Sequence, residues 1–264
     1  MTSSKIILAG EYTILDHSQL IGIPFKKYSG TWKFSDQPDE RLFSLYNYIK
    51  DNCSGLIDVS RFYKDIASGM YFDSNIPEGY GCGSSGALIA GLYKRYLLKE
   101  LKHPIKVFSE IESYFHGTSS GLDPYISYQN KAVLVDDKQF KTLDEFELNL
   151  DGFYLYDSNR TRNTKNLVQK YKQLSLKDRF EIVQKSNDLV NSLLSGHAIS
   201  DSIKSLSKIQ LDKMKFAIPK DIQDLWEKSF ENGIFFKLCG AGGGGYFLVF
   251  STNTINHPDY IKLI

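Results

Sequence analysis

The chain has 264 residues, 42% of them hydrophobic, with 32 Lys and Arg against 31 Asp and Glu. A chain of this length buries roughly 70–75% of its unfolded surface without disulfide or metal staples, as one large domain or two intimate lobes. The basic residues are dispersed, which argues against a nucleic-acid binder. The cysteines Cys53, Cys82 and Cys239 are odd in number and far apart, against a disulfide framework or a zinc cluster.

Taken in chain order, residues 5–9, 12–15 and 31–34 are rich in β-branched and aromatic side chains and read as strands of a sheet. The run Ile6 to Ala9 is cut off by Glu11, and no apolar stretch reaches the length of a membrane span. The expectation is therefore a soluble, untargeted, cytoplasmic protein. Amphipathic helices follow over 40–52 and 60–67, then a strand over 70–72. Residues 77–87 read Pro-Glu-Gly-Tyr-Gly-Cys-Gly-Ser-Ser-Gly-Ala, directly before a helix in which Leu88, Ile89, Leu92, Tyr93, Tyr96 and Leu97 recur at helical spacing. Further helix is expected over 105–115, strands over 132–135 and 152–156, and almost unbroken helix over 164–232. Strands over 234–238 and 246–250 close the pattern, and a composition shift near residue 150 suggests two lobes, 1–150 and 151–264.

Three segments carry chemistry. In the first glycine loop the backbone can approach an anion without an intervening Cβ, and the helix that follows offers unpaired N–H groups and the positive end of its dipole. Gly79, Gly81, Gly83, Ser84, Ser85 and Gly86 are the candidate phosphate-binding residues. Gly81, Gly83 and Gly86 also satisfy G-x-G-x-x-G, but a dinucleotide site needs its first glycine directly after a strand, and here residues 75–78 intervene. No Walker A loop is present. The second segment runs from Glu112 through His116-Gly-Thr-Ser-Ser-Gly-Leu-Asp123, and the third is Gly240-Ala-Gly-Gly-Gly-Gly245 between two strands. Five glycines in six positions cost too much backbone entropy for a mere turn, so close approach of a ligand or another backbone is the better reading. Phosphoryl transfer needs an anion cradle, a metal ligand, a cation and a carboxylate for the acceptor hydroxyl. The chain offers the first glycine loop, Ser85 with Glu112 for Mg²⁺, Lys5 and Asp123.

Lys5-Ile-Ile-Leu-Ala-Gly-Glu-Tyr, residues 77–87 and Lys237-Leu-Cys-Gly-Ala-Gly-Gly-Gly-Gly resemble the three ordered signature motifs of the GHMP small-molecule kinases, across almost the whole chain. Within that superfamily, Glu112 followed by His116-Gly-x-x-Ser-Gly-x-Asp123, together with Arg162-Asn-Thr, is similar to the mevalonate kinases, most like the short bacterial ones. The resemblance implies an α+β fold of two lobes with the active site in their cleft. It implies Asp123 as the catalytic carboxylate and Lys5 beside it, lowering the pKa of the reacting pair and offsetting phosphate charge. Ser85 and Glu112 would hold Mg²⁺, and Glu11, Tyr12, Thr164, Ala241 and Gly242 would line the acceptor or its catalytic surroundings. Arg162 and Lys165 are candidates for a substrate carboxylate, and His116 reads as a brace of its turn. Two departures stand out: Thr2-Ser3-Ser4 replaces the family's Ala-Pro-Gly, and Tyr12 stands where mevalonate kinases usually have His. The implied reaction is ATP-dependent phosphorylation of the 5-hydroxyl of mevalonate. Phosphomevalonate is the first alternative acceptor, and a catalytically silent ligand-binding member the alternative from another class. The expected partners are ATP and a small-molecule alcohol, with a homodimer as the candidate assembly and neither nucleic acid nor membrane.

Overall fold

The computed structural model describes residues 1–53, 55–144, 148–164 and 166–263. Strand β1 (Thr2–Ala9) is buried along its whole length. The strand expected over 12–15 is instead a 3-10 turn, Thr13–Asp16. Local bonds take the backbone there: the Ile14 N–H donates to the Gly10 carbonyl, and Leu15 to Tyr12. Those bonds curl the segment into a turn and take groups that a strand would offer to a ladder. Strand β2 (Leu20–Phe34) extends well upstream of the expected 31–34. Pro24 hides its first half from pattern reading. It falls between the stretch 20–22, which pairs with a later strand, and the stretch 30–34, which pairs with β3 (Met70–Ser74).

The chain forms two compact units, each built from discontinuous segments. The first comprises Met1–Lys5, Pro24–Pro77 and Cys82–Lys131. It holds helices α1 (Glu40–Cys53), α2 (Val59–Ala67), α3 (Ser84–Tyr96), α4 (Ile105–His116) and α5 (Leu122–Gln129). Asp58 caps α2 by accepting from the Arg61 amide. The core of this unit is aromatic where α3 meets α4 and α5: Tyr93 lies 4.7 Å from Phe108 and 5.1 Å from Tyr128, ring centre to ring centre. Pro124 sits in the first turn of α5, where an amide has no intrahelical acceptor to lose.

The second unit comprises Ile6–Ile23, Glu78–Gly81 and Ala132–Ile264. Strands β4 (Ala132–Asp136) and β5 (Gln139–Leu143) form an antiparallel hairpin, and β4 pairs with the first residues of β2. Next come β6 (Phe153–Asp157), then α6 (Leu167–Lys172), α7 (Leu176–Ser195), α8 (Ile199–Lys213) and α9 (Lys220–Ser229), and finally β7 (Ile234–Leu238), β8 (Tyr246–Ser251) and β9 (Tyr260–Lys262). The second sheet is ordered β7-β8-β6-β9, all antiparallel. Its helix-facing side buries Tyr154, Phe236, Phe247 and Val249 against Tyr171, Ile182, Ile222 and Trp226. The Trp226 indole N–H is satisfied by Ser207 at 2.7 Å. The fold class is the expected α+β; the strand pairs β2–β3, β2–β4 and β4–β5, like those of the second sheet, are antiparallel. Helix α5 and strands β5 and β9 are additions to the sequence reading. Among the described residues no helix is long and apolar enough to cross a membrane.

Candidate active site

Within the first unit, Lys5, Asp123 and the glycines that open α3 come together. Lys5 is buried on β1, 4% exposed, because the strand is enclosed along its length. Its backbone N–H donates to the Cys82 carbonyl at 2.9 Å, tying β1 to the first glycine loop. Its ammonium lies 2.9 Å from Asp123 Oδ2, and the Asp123 side chain keeps about a third of its surface open. Asp123 lies in the first turn of α5, which packs directly on the first turn of α3: a Cβ at Gly86 would lie 2.9 Å from the Asp123 carbonyl carbon and 3.0 Å from the Pro124 nitrogen. Only glycine permits that approach. Gly83, left-handed, precedes α3, and Ser84 and Ser85 open it. Their amides, with that of Gly86, have no intrahelical acceptor, so the helix start presents donors to an anion.

Glu112 on α4 is the most perturbed carboxyl of the group. It is 3% exposed, and its pKa is raised from 4.5 to about 8 by burial and by the Asp123 charge, against the opposing pull of the Ser119 hydroxyl and Lys5. The Ser119 hydroxyl donates to Glu112 Oε2 in a short bond. One turn further along α4, His116 Nε2 lies 3.2 Å from Ser85 Oγ.

Within the second unit, Glu11 is almost fully enclosed. Lys237 donates to its two oxygens at 2.7 and 2.8 Å and Gln210 to Oε1 at 3.0 Å. Lys237 itself is wholly buried, and Gln210 also accepts the Leu238 amide at 2.9 Å. Tyr12 is 2% exposed, with its hydroxyl donating to the Ala241 carbonyl at 2.5 Å and its ring 5.1 Å from Tyr171. Burial first, and the Glu11 charge next, hold its hydroxyl protonated far above the ordinary range. Of these two residues, expected beside the acceptor, Tyr12 bonds to the third glycine loop and Glu11 to Lys237 and Gln210. Ala241 is half-buried, Gly242 buried and Thr164 exposed. Gly79 accepts from the Arg162 amide at 2.9 Å. The Arg162 guanidinium occupies the space beside Gly81, 2.7 Å from where a Cβ would stand, and beside Gly240 at 2.9 Å. Among the described residues its buried Nε has no hydrogen-bond partner. Lys165 lies outside the described residues.

Residues 45–131 match the GHMP kinases N-terminal domain family. The matched segment holds the α3 entry, Glu112, His116 and Asp123, whereas Lys5 and all of the second unit but Glu78–Gly81 lie outside it. Over 205 residues the chain is 25% identical to mevalonate kinase of Pyrococcus furiosus, covering 72% of this chain and 61% of that enzyme. The chain thus matches about three fifths of that relative's length. In fold it is similar to the phosphomevalonate kinase of Streptococcus pneumoniae, solved with phosphomevalonate and AMPPNP, at TM-score 0.68 and 17% identity over 96% of this chain and 92% of that one. It is likewise similar to the mevalonate kinase of Methanococcus jannaschii, at TM-score 0.64 and 18% identity over 95% and 89%.

Among the described residues no three His, Cys, Asp or Glu side chains are grouped to hold a metal ion. Ser85 and Glu112 instead offer one hydroxyl and one carboxylate. That donor set fits Mg²⁺, which prefers oxygen, keeps several waters and shares phosphate ligands with its substrate. The raised pKa of Glu112 fits as well: a buried carboxyl lacking a full counter-charge takes a proton, and a divalent cation would replace it. The signal for His116 and Ser119 as partners of these donors was weak in the sequence, since both stand in the second segment with no pattern to assign their contacts.

Proposed function

We propose that the protein is an ATP-dependent small-molecule kinase that phosphorylates the 5-hydroxyl of mevalonate by direct in-line transfer. The observation that carries the reading is the Lys5–Asp123 ion pair set against the first turn of α3. In this scheme Asp123 orients the acceptor hydroxyl and takes its proton, and its open third leaves the carboxylate reachable. Lys5 and the first-turn amides of α3 hold the phosphoryl oxygens as charge spreads onto them. Ser85 and Glu112 would hold Mg²⁺, whose charge would offset that of the nucleotide phosphates. Gly79, Gly81, Gly83, Ser84 and Gly86 form the phosphate-binding loop. Thr164, Ala241 and Gly242 line the acceptor, Glu11 and Tyr12 support that lining, and Arg162 is the cation for the acceptor carboxylate. In this reading residues 1–150 are the ATP-binding lobe and residues 151–264 the C-terminal lobe.

Gly10-Glu11-Tyr12, typical of phosphomevalonate kinases, favours phosphomevalonate as the second acceptor. An ADP-release assay across mevalonate, phosphomevalonate, galactose and homoserine decides between them, with turnover on mevalonate expected. Asp123→Asn should keep ATP affinity yet lose about 10³-fold or more in kcat. Near-normal turnover of that variant removes Asp123 as the base, and no ADP release with any acceptor removes the kinase reading.

A further inference from the structure

Helix α4 presents two side chains on one face, and the second of them reaches the start of α3. Glu112 and His116 are four residues apart, so they lie one above the other. Each meets a hydroxyl: Glu112 accepts from Ser119, and His116 Nε2 lies 3.2 Å from Ser85 Oγ. The two oxygen donors assigned to the metal therefore each have a partner of their own. For Ser85 the partner matters more. A serine hydroxyl binds a cation through an oxygen lone pair, which requires its hydrogen to point elsewhere, and a free hydroxyl rotates among staggered positions. An imidazole nitrogen at hydrogen-bond distance fixes that rotor when it is the unprotonated one, with the ring proton on Nδ1.

We propose that His116 is a positioning residue that takes the Ser85 hydroxyl proton into a hydrogen bond and so presents the Ser85 oxygen to the metal ion. The proposal rests on the kinase reading and deepens its metal site. It also gives the Gly117 turn a purpose: α4 ends one residue after His116, in a glycine at φ 76, so the ring is carried by a helix and held at its last turn. A brace of the turn alone would have no need of Ser85, which lies 31 residues away in the chain.

The test uses the full-length protein with Mn²⁺ in place of Mg²⁺ and a non-hydrolysable ATP analogue, reading free Mn²⁺ by electron paramagnetic resonance. His116→Phe should weaken Mn²⁺ binding in the ternary complex about 10-fold or more, the range for loss of a partner behind a metal ligand, while metal-free nucleotide affinity stays within about two-fold. His116→Gln, whose amide can also accept a hydrogen bond, should recover most of the loss. On a Ser85→Ala background His116→Phe should add less than about two-fold, because the residue it positions is gone. An unchanged Mn²⁺ affinity in His116→Phe, or an equal loss on the Ser85→Ala background, overturns the proposal. If the wild-type protein releases ADP normally and His116→Phe matches it in Mn²⁺ affinity, only this inference fails. If the wild type shows neither ADP release nor nucleotide-dependent Mn²⁺ binding, the kinase reading fails with it.

Discussion

Glu112 carries the largest cost at the scale of single residues. The folded chain keeps a proton on this carboxyl up to about pH 8, whereas an unfolded glutamate releases it near 4.5. The folded state binds more protons throughout that window, so its stability falls as pH rises between those values. Below the window the cost is absent, and above it the cost is fully present. Glu112→Gln removes the titration while an amide oxygen can still accept from Ser119. With a chelator present, melting of Glu112→Gln against wild type should show a margin in favour of the variant that is larger at about pH 8.5 than at about pH 5. A margin that shrinks as pH rises would refute the assigned burial cost. The Glu11–Lys237 pair is the contrasting case. It is as deeply enclosed, but each charge has its opposite within 2.8 Å and further bonds to Gln210 and Leu238. Such a pair is costly to break from one side only, since the remaining charge is then buried alone.

Between elements, the decisive contact is the crossing of α3 and α5. Gly86 lets the backbone of α5 come within van der Waals distance of the first turn of α3, and that approach sets where Asp123 stands relative to the anion-binding amides. Gly86→Val places a branched side chain where a Cβ would already meet Asp123 and Pro124 at about 3 Å. Overpacking of this kind costs about 1–3 kcal/mol. The expected outcome is a melting temperature lowered by several degrees, together with a drop in kcat larger than the change in ATP affinity, measured by steady-state kinetics and calorimetry. Unaltered kcat would mean that the α3–α5 spacing does not position Asp123. The helices themselves were largely readable in advance, because 40–53, 59–67, 84–96 and 105–116 show apolar residues at helical spacing. The exceptions have physical causes. Residues 12–15 look like strand by composition but satisfy their backbone locally, and α5 is short, with a proline in its first turn.

For the molecule as a whole, a nucleotide that binds only the folded state must stabilise it by mass action. ATP with Mg²⁺ at about 100 times its dissociation constant should add about 2.7 kcal/mol and raise the melting temperature by several degrees, whereas NAD should leave it unchanged. A shift with NAD and none with ATP would revive the dinucleotide reading of the first glycine loop. The motif segments were legible from sequence because their chemistry is local: glycines next to a helix start, or a carboxylate at a helix entry, need only neighbours in the chain to be recognised. Lys5, Ser85, Glu112 and Asp123 could be selected that way, whereas periodicity supported only a mixed α and β class and the α+β fold came from the resemblance to the GHMP kinases. What serves each of those residues was decided by tertiary structure alone. Tyr12 reaches Ala241 across 229 positions, Lys237 reaches Glu11 across 226, and His116 reaches Ser85 across 31. Contacts so distant along the chain leave no periodic mark in the sequence, because only the packing of strands and helices brings their partners together.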